Sequence, residues 1–413
     1  MNETGHEAQG AARPRLIAGR QPVVPGSGPG VAWRLAAFYG TTFLLIGLYM
    51  PFWPVWLQSR GLDAGEIGVV LALTTWTKVV ASPLFAGLAD RLGERRRVIL
   101  GLSLASLASY ALYARADTFV TLCAGAIAIG MFFPAQMPLV ENMTMLAARV
   151  RGFDYGRVRL WGSLTFIAGA YGGGLWLAGR PESQVSVLVV AVAVLAVLAA
   201  AALPEVRVAR APRAGAGLLR LLGDRRFALF LAAASLIQAS HAAYYGFATL
   251  HWRAAGLHEA TIGALWAEGV IAEIVLFAFA APVVRRIGIV PLFALAALAG
   301  VVRWSALAAS SELWLLVLVQ GLHAGTFGAA HLAAMHFVQQ AVPAASSARA
   351  QALYSASAAG VAMALAMAAA GALYAWAGAG AFLAMAAMAA AGGGAALVLG
   401  RLWQGEEIAP NAG

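Results

Sequence analysis

The sequence predicts an all-α polytopic membrane protein, with twelve transmembrane helices arranged as two pseudo-symmetric six-helix bundles. Three observations carry this expectation: an apolar composition, twelve apolar segments long enough to cross a bilayer, and an internal repeat near half the chain length. Of 413 residues, 61% are hydrophobic and 11% charged, and the mean hydropathy is +0.77. Soluble domains do not show that balance. The single cysteine, Cys123, excludes an internal disulfide and a multi-cysteine metal site.

The apolar segments fall at 34–58, 66–90, 96–115, 118–147, 156–179, 183–203, 227–252, 260–285, 288–308, 312–341, 346–376 and 378–401. At 1.5 Å per residue, about 20 residues cover a hydrocarbon core of about 30 Å. Residues 1–30 are rich in Gly, Pro, Ala and Arg without a long apolar run, so they read as a disordered cytoplasmic tail and not as a signal peptide. A first bundle then occupies 31–203 and a second 227–403, with a short C-terminal tail over 404–413. The cytoplasmic linker between them, 204–226, carries Pro212, Gly215, Gly217 and six arginines.

Charge fixes the expected orientation. With the N-terminus inside, cytoplasmic tails, loops and helix ends hold 22 of the 28 basic residues. The opposite side holds four, Arg60, Arg115, Arg180 and Arg253, while Lys78 and Arg303 lie within the membrane. This bias places both termini in the cytoplasm of a bacterial inner membrane. It also explains the net charge of +10 without a nucleic-acid partner.

A shift of 195 residues aligns 49–93 with 244–288 without a gap. Tyr49 meets Tyr244, Phe52 meets Phe247, Gly61 and Leu62 meet Gly256 and Leu257, Ile67 and Gly68 meet Ile262 and Gly263, and Arg91 and Gly93 meet Arg286 and Gly288. An even number of spans separates the copies, so the halves share one orientation. Parallel six-helix repeats imply two bundles around a central pathway, with the substrate near the midplane.

Lys78 is the only lysine of the chain. It stands about 12 residues, or about 18 Å, from either end of the second span, too deep to snorkel. Its ammonium therefore needs a partner or a water-filled cavity inside the protein. The repeat sets it opposite Glu273, which a purely local packing role does not predict. Lys78, Glu273, Arg303 and His323 all lie within apolar spans, where an uncompensated charge costs at least about 2.5 kcal/mol. Glu273 is the leading proton carrier, because occupancy of the pathway can switch a carboxyl between its two forms. His323 can also titrate, or can serve only as an interhelical hydrogen-bonding group. His241 and Tyr244 can donate to a polar ligand or simply pack. Glu268 is five residues before Glu273, about 140° away around the helix. No metal site is expected at His331 and His336, which lack a nearby carboxylate or cysteine. The sequence holds no G-x-S-x-G, H-E-x-x-H or Walker loop, so neither an enzyme nor a cofactor is expected. A concentration or ion gradient must then drive any transport.

The turn after the second span reads AGLADRLGERRR, Ala86 to Arg97, and resembles the signature of the major facilitator superfamily. Gly87, Asp90, Arg91 and Gly93 fit that pattern, while Ala86 replaces its first glycine and Glu94 interrupts the basic run. Asp90 could pair across a helix interface and favour an outward-open state. The second-half copy has Arg285 in its place. PFWPVWLQSRGL (51–62), YGRVRLWGS (155–163), SHAAYYGFATLHW (240–252) and QGLHAGTFGAAH (320–331) resemble the phenylpropionate permease branch, near the lactose/proton and nucleoside/proton symporters. The resemblance covers nearly all of the chain from residue 34. Its relation to the lactose/proton group implies substrate binding by Glu141 and Arg159, eighteen residues apart, and a binding and coupling network at Arg303 and His323, twenty apart. Glu141 and Arg159 could equally form a structural ion pair or solvated loop charges. Gln320 and Thr326 stand where that group has a lysine and a proton-carrying glutamate. The expectation is a secondary transporter, working as a monomer in the bilayer, that imports a small organic solute with a proton. An aromatic or other organic carboxylate leads. The alternatives are a sugar or nucleoside symporter, a drug exporter, and a non-transporting membrane sensor.

Overall fold

The computed structural model describes residue 25, residues 27–206 and residues 218–408. Residues 1–24 of the expected tail and 207–217 of the expected linker lie outside the described residues. Twelve helical spans run as α1 Gly28–Ser59, α2 Ala64–Leu92, α3 Arg95–Tyr113, α4 Phe119–Arg151, α5 Tyr155–Leu177, α6 Ser183–Ala202, α7 Arg225–Ala254, α8 Glu259–Ala278, α9 Ile289–Ala309, α10 Leu313–Ala341, α11 Ser346–Ala377 and α12 Gly380–Leu402. Ten of these are long and apolar enough to cross a membrane by themselves. The other two are α3, which opens on Arg95, Arg96 and Arg97 and carries three serines, and the glycine-rich α5.

Local chemistry sets the helix ends. The Asp63 carboxylate accepts from the Glu66 N–H at 2.8 Å, and Glu66 accepts from the Asp63 N–H at 3.0 Å, which caps α2. Gly93 ends α2 at φ 69°, where a side chain would be strained. Pro134 interrupts α4 between Phe132 and Gln136, because it removes a donor and its ring clashes with the preceding turn. Two π-helical segments, Ala324–Ala329 in α10 and Ser355–Ala362 in α11, belong to the second half. Such bulges frequently mark functional sites.

The apolar core joins the halves at one end only. Leu48, Phe52 and Ile67 of the first half share a cluster with Tyr244, Phe247 and Met367 of the second. At the end that carries both chain termini the cores are separate, one around Phe38 and Ile99, the other around Phe230 and Phe337. The joined end is sealed where two helix pairs meet backbone to backbone. A Cβ added to Gly68 of α2 would lie 2.6 Å from the Gly371 Cα of α11, and one added to Gly263 of α8 would strike the Ala170 carbonyl of α5. Gly68 and Gly263 are repeat equivalents, so one device is used twice. The molecule is thus closed on one face and open on the face of its termini.

An ion triad covers the closed face. Arg253 at the end of α7 lies 2.9 Å from Glu182 before α6 and 3.0 Å from Glu259 on α8. The first of these bonds crosses between the halves, and the Arg253 guanidinium holds the Glu182 carboxyl below the usual glutamate range. Because that value is depressed in the closed state, the bond contributes fully above the ordinary glutamate pKa and is lost as pH falls through the depressed one. Glu182→Gln is expected to raise the fraction open at this face and to remove its acid sensitivity. Pulsed distance measurements between labels at 180 and 258 check both, and an unchanged pH profile in the variant would contradict the assignment.

Candidate functional site

At mid-depth, where the halves begin to part, the second half builds a closed polar network around Arg303 of α9. Arg303 is wholly buried. Its NH1 donates to His323 Nδ1 at 3.0 Å and to Thr326 Oγ1 at 3.2 Å, and its NH2 donates to Gln320 Oε1 at 2.8 Å. The Gln320 amide in turn donates to the Tyr244 hydroxyl at 2.8 Å and to the Leu265 carbonyl at 2.9 Å. The guanidinium lies over the rings of Tyr244, at 4.4 Å, and Trp304, at 4.8 Å, so both terminal nitrogens and one face are occupied, while the buried Nε has no partner among the described residues.

The donors fix the histidine tautomers. A guanidinium can only donate, so His323 Nδ1 accepts and the proton of the neutral ring sits on Nε2. That nitrogen faces Glu273 Oε2 at 3.6 Å, a long contact between side chains that are 10% and 20% exposed. His241 Nδ1 lies 3.0 Å from the Gln238 carbonyl and must donate to it, which leaves Nε2 to accept from the Thr326 hydroxyl at 3.0 Å. Glu273 is therefore the network's outlet, partly open to the cavity, with every member behind it buried.

Lys78 stands apart. Among the described residues it has neither an ion pair nor a hydrogen bond, and its side chain is half-buried. It sits ten residues inside the α2–α11 contact glycine, Gly68, as Glu273 sits ten residues inside Gly263. That is about 15 Å in each case, so both reach one depth. Arg159 lies over the rings of Phe43, at 4.2 Å, and Tyr39, at 5.6 Å. Among the described residues Arg159 forms no ion pair with Glu141.

The structure thus brings together Arg303, His323, Gln320, His241, Tyr244 and Glu273. It leaves Lys78 unpartnered and places Glu141 and Arg159 near one another, on the wall of the open end. Thr326 joins three of the network's residues, at the position three residues after His323 where the lactose/proton group has a glutamate. In the α2–α3 turn, Asp90 pairs with Arg95 at 3.3 Å within its own segment, Arg91 is exposed, and Gly87 has open space where a Cβ would stand.

Two parallel six-helix halves, joined at one face and parted at the other around a polar centre, define a membrane transporter of the major facilitator fold. The chain belongs to the MFS_1 like family, whose model matches residues 32–384. It is 34% identical over 336 residues to a protein described as "Probable 3-phenylpropionic acid transporter" of Escherichia coli (strain K12), covering 78% of this chain and 86% of that one. It is 29% identical over 333 residues to a maltose permease of Geobacillus stearothermophilus, covering 77% and 82%. Among solved structures, the nucleoside transporter NupG superposes with a TM-score of 0.79 at 18% identity, over 90% of this chain and 99% of that one. A bacterial homologue of the human lysosomal transporter Spinster, in an inward-facing and unoccupied conformation, gives 0.76 at 13% identity, over 93% and 100%. These structures share the fold.

Proposed function

We propose that the protein imports a small organic carboxylate, foremost an aromatic one, together with a proton, by alternating access across a bacterial inner membrane. The observation that carries this proposal is the unpartnered ammonium of Lys78 at mid-membrane. A half-buried cation at mid-membrane without a counter-charge is costly, and an anionic substrate supplies the missing charge when it binds. Arg303 is less accessible for that role, because it is wholly buried, its terminal nitrogens and one face are engaged, and only its buried Nε has no partner among the described residues. The name of the Escherichia coli relative supports the same substrate class. With both termini cytoplasmic, the open face is the inner one, and the described state is inward-open.

Proton coupling falls to Glu273. It is the carboxylate between the buried network and the cavity, 3.6 Å from His323 Nε2. The substrate carboxylate at Lys78 and the proton at Glu273 then occupy equivalent stations in the two halves. A neutral sugar or nucleoside reading would instead centre on Glu141 and Arg159, with the aromatic rings of Tyr39 and Phe43 beside them.

Counterflow in proteoliposomes, with 3-phenylpropionate, a nucleoside and a disaccharide offered in parallel, tests the substrate class and separates transport from sensing. Exchange of the carboxylate alone is expected; exchange of the neutral solutes without it would sink the proposal. Lys78→Ala removes a charge-assisted bond worth about 1.5–3 kcal/mol, a ten- to hundredfold loss of carboxylate affinity at every pH. Lys78→Arg is expected to restore part of it. A variant that keeps its affinity and shifts its pH optimum would instead make Lys78 a tuner of Glu273.

A further inference from the structure

A groove of about 280 Å³ opens laterally in the first half, on the leaflet at the open face. Phe85, Leu88 and Leu92 of α2 form one wall, Gly101 and Ala105 of α3 the other, and Phe132 of α4 closes the inner end. No residue of the second half lines it, so it is separate from the pathway. Leu88 and Leu92 are 39% and 58% exposed, which directs the groove toward lipid. From Val98 to Ala105 it follows α3 for about 10 Å.

The mouth of the groove is basic. Arg97 lines it, and its side chain is 80% exposed, with Nε 2.7 Å from Glu94. Its terminal nitrogens have no partner among the described residues. Arg91 stands three residues after Leu88, hence on the same side of α2, and is exposed with no ion pair among the described residues. The neighbouring acids are already engaged, Asp90 by Arg95 and Glu94 by Arg97, while Arg96 is turned to Glu205 and the Ala201 carbonyl. An apolar slot of acyl-chain character thus ends, at headgroup depth, on Arg91, which has no acidic partner among the described residues, and on the terminal nitrogens of Arg97, whose Nε alone is paired with Glu94.

We propose that this groove binds an anionic phospholipid, with one acyl chain between α2 and α3 and the phosphate against Arg91 and Arg97. Each arginine supplies a surface attraction to an anionic headgroup, and the guanidinium fork suits a phosphate oxygen pair. A zwitterionic lipid offers the same chain with no net charge, so selectivity for the anionic headgroup is part of the proposal.

Native mass spectrometry of the full chain, released from micelles holding equal amounts of phosphatidylglycerol and phosphatidylcholine, reads which lipid is retained. Preferential retention of phosphatidylglycerol is expected, falling about fivefold with each of Arg91→Gln and Arg97→Gln. Gly101→Leu fills the slot from a position where a Cβ meets nothing within 4 Å and which favours leucine in a helix, so retention should drop while folding is kept. Ala105→Leu provides the same test from the next turn. Arg401→Gln, an exposed arginine at the end of α12, should change nothing. Equal retention of the two lipids, undiminished retention in both groove-filling variants, or an equal loss in Arg401→Gln would each overturn the proposal.

Discussion

Glu273→Gln is expected to abolish gradient-driven accumulation while leaving substrate exchange intact. Under a one-unit inward proton gradient, one coupled proton can sustain about a tenfold solute ratio. The variant should fall to equality inside and out. Glutamine keeps the volume and the acceptor that faces the His323 Nε2–H, so packing behind it is preserved, but a carboxamide neither takes up nor releases a proton. Exchange without net accumulation is what a transporter fixed in its proton-loaded form performs. Loss of exchange together with accumulation would point to a binding role for Glu273, and full accumulation would remove it as the carrier.

Gly263→Leu is expected to stop transport by a different route. The position meets the Ala170 carbonyl of α5 directly, and Gly174 of α5 meets the Glu259 carbonyl in the adjoining turn. A leucine there has no space to relax into, since its obstruction is backbone and not the end of a flexible side chain. Overpacking of this kind costs about 1–3 kcal/mol, spent only in the state that is closed at this face. At about 1.4 kcal/mol per decade, up to a hundredfold of the population moves to states open there. Labels at 180 and 258, both on exposed residues, should separate by several ångströms on average. Carbonyl-to-carbon contact in the repeat-equivalent position makes Gly68→Leu the paired test, through α11. An unchanged distance distribution with normal uptake would contradict the sealing role of both glycines.

Much of the fold is legible in the sequence because a bilayer imposes one length and one polarity on every span. The predicted segments 183–203 and 288–308 coincide with Ser183–Ala202 and Ile289–Ala309 to within a residue. The repeat marked Gly68 and Gly263 as matching positions, but nothing in the sequence tells a glycine that seals a helix pair from one that does not. The polar network was legible as a list of residues and not as a set of bonds. Their place within apolar spans and the resemblance to the lactose/proton group singled out Arg303 and His323, whereas the bridging of Thr326 and the stacking on Tyr244 and Trp304 depend on how α7, α9 and α10 are rotated against each other. A span that is apolar on all sides carries little record of that rotation. For the same reason Lys78 and Glu273 were legible as counterparts, while the sequence left open whether they touch. They occupy one depth on different helix pairs, and Glu273 instead faces His323.

The most direct test of the central claim compares 3-phenylpropionate with its neutral amide in binding to the wild type and to Lys78→Ala, by titration calorimetry at one pH. If the ammonium receives the substrate carboxylate, the wild type favours the acid over the amide by ten- to hundredfold, from about 1.5–3 kcal/mol of charge-assisted bonding, and the variant binds the two alike. Equal binding of acid and amide by the wild type, or a preference that survives the loss of Lys78, would show that the lysine is not the carboxylate's partner.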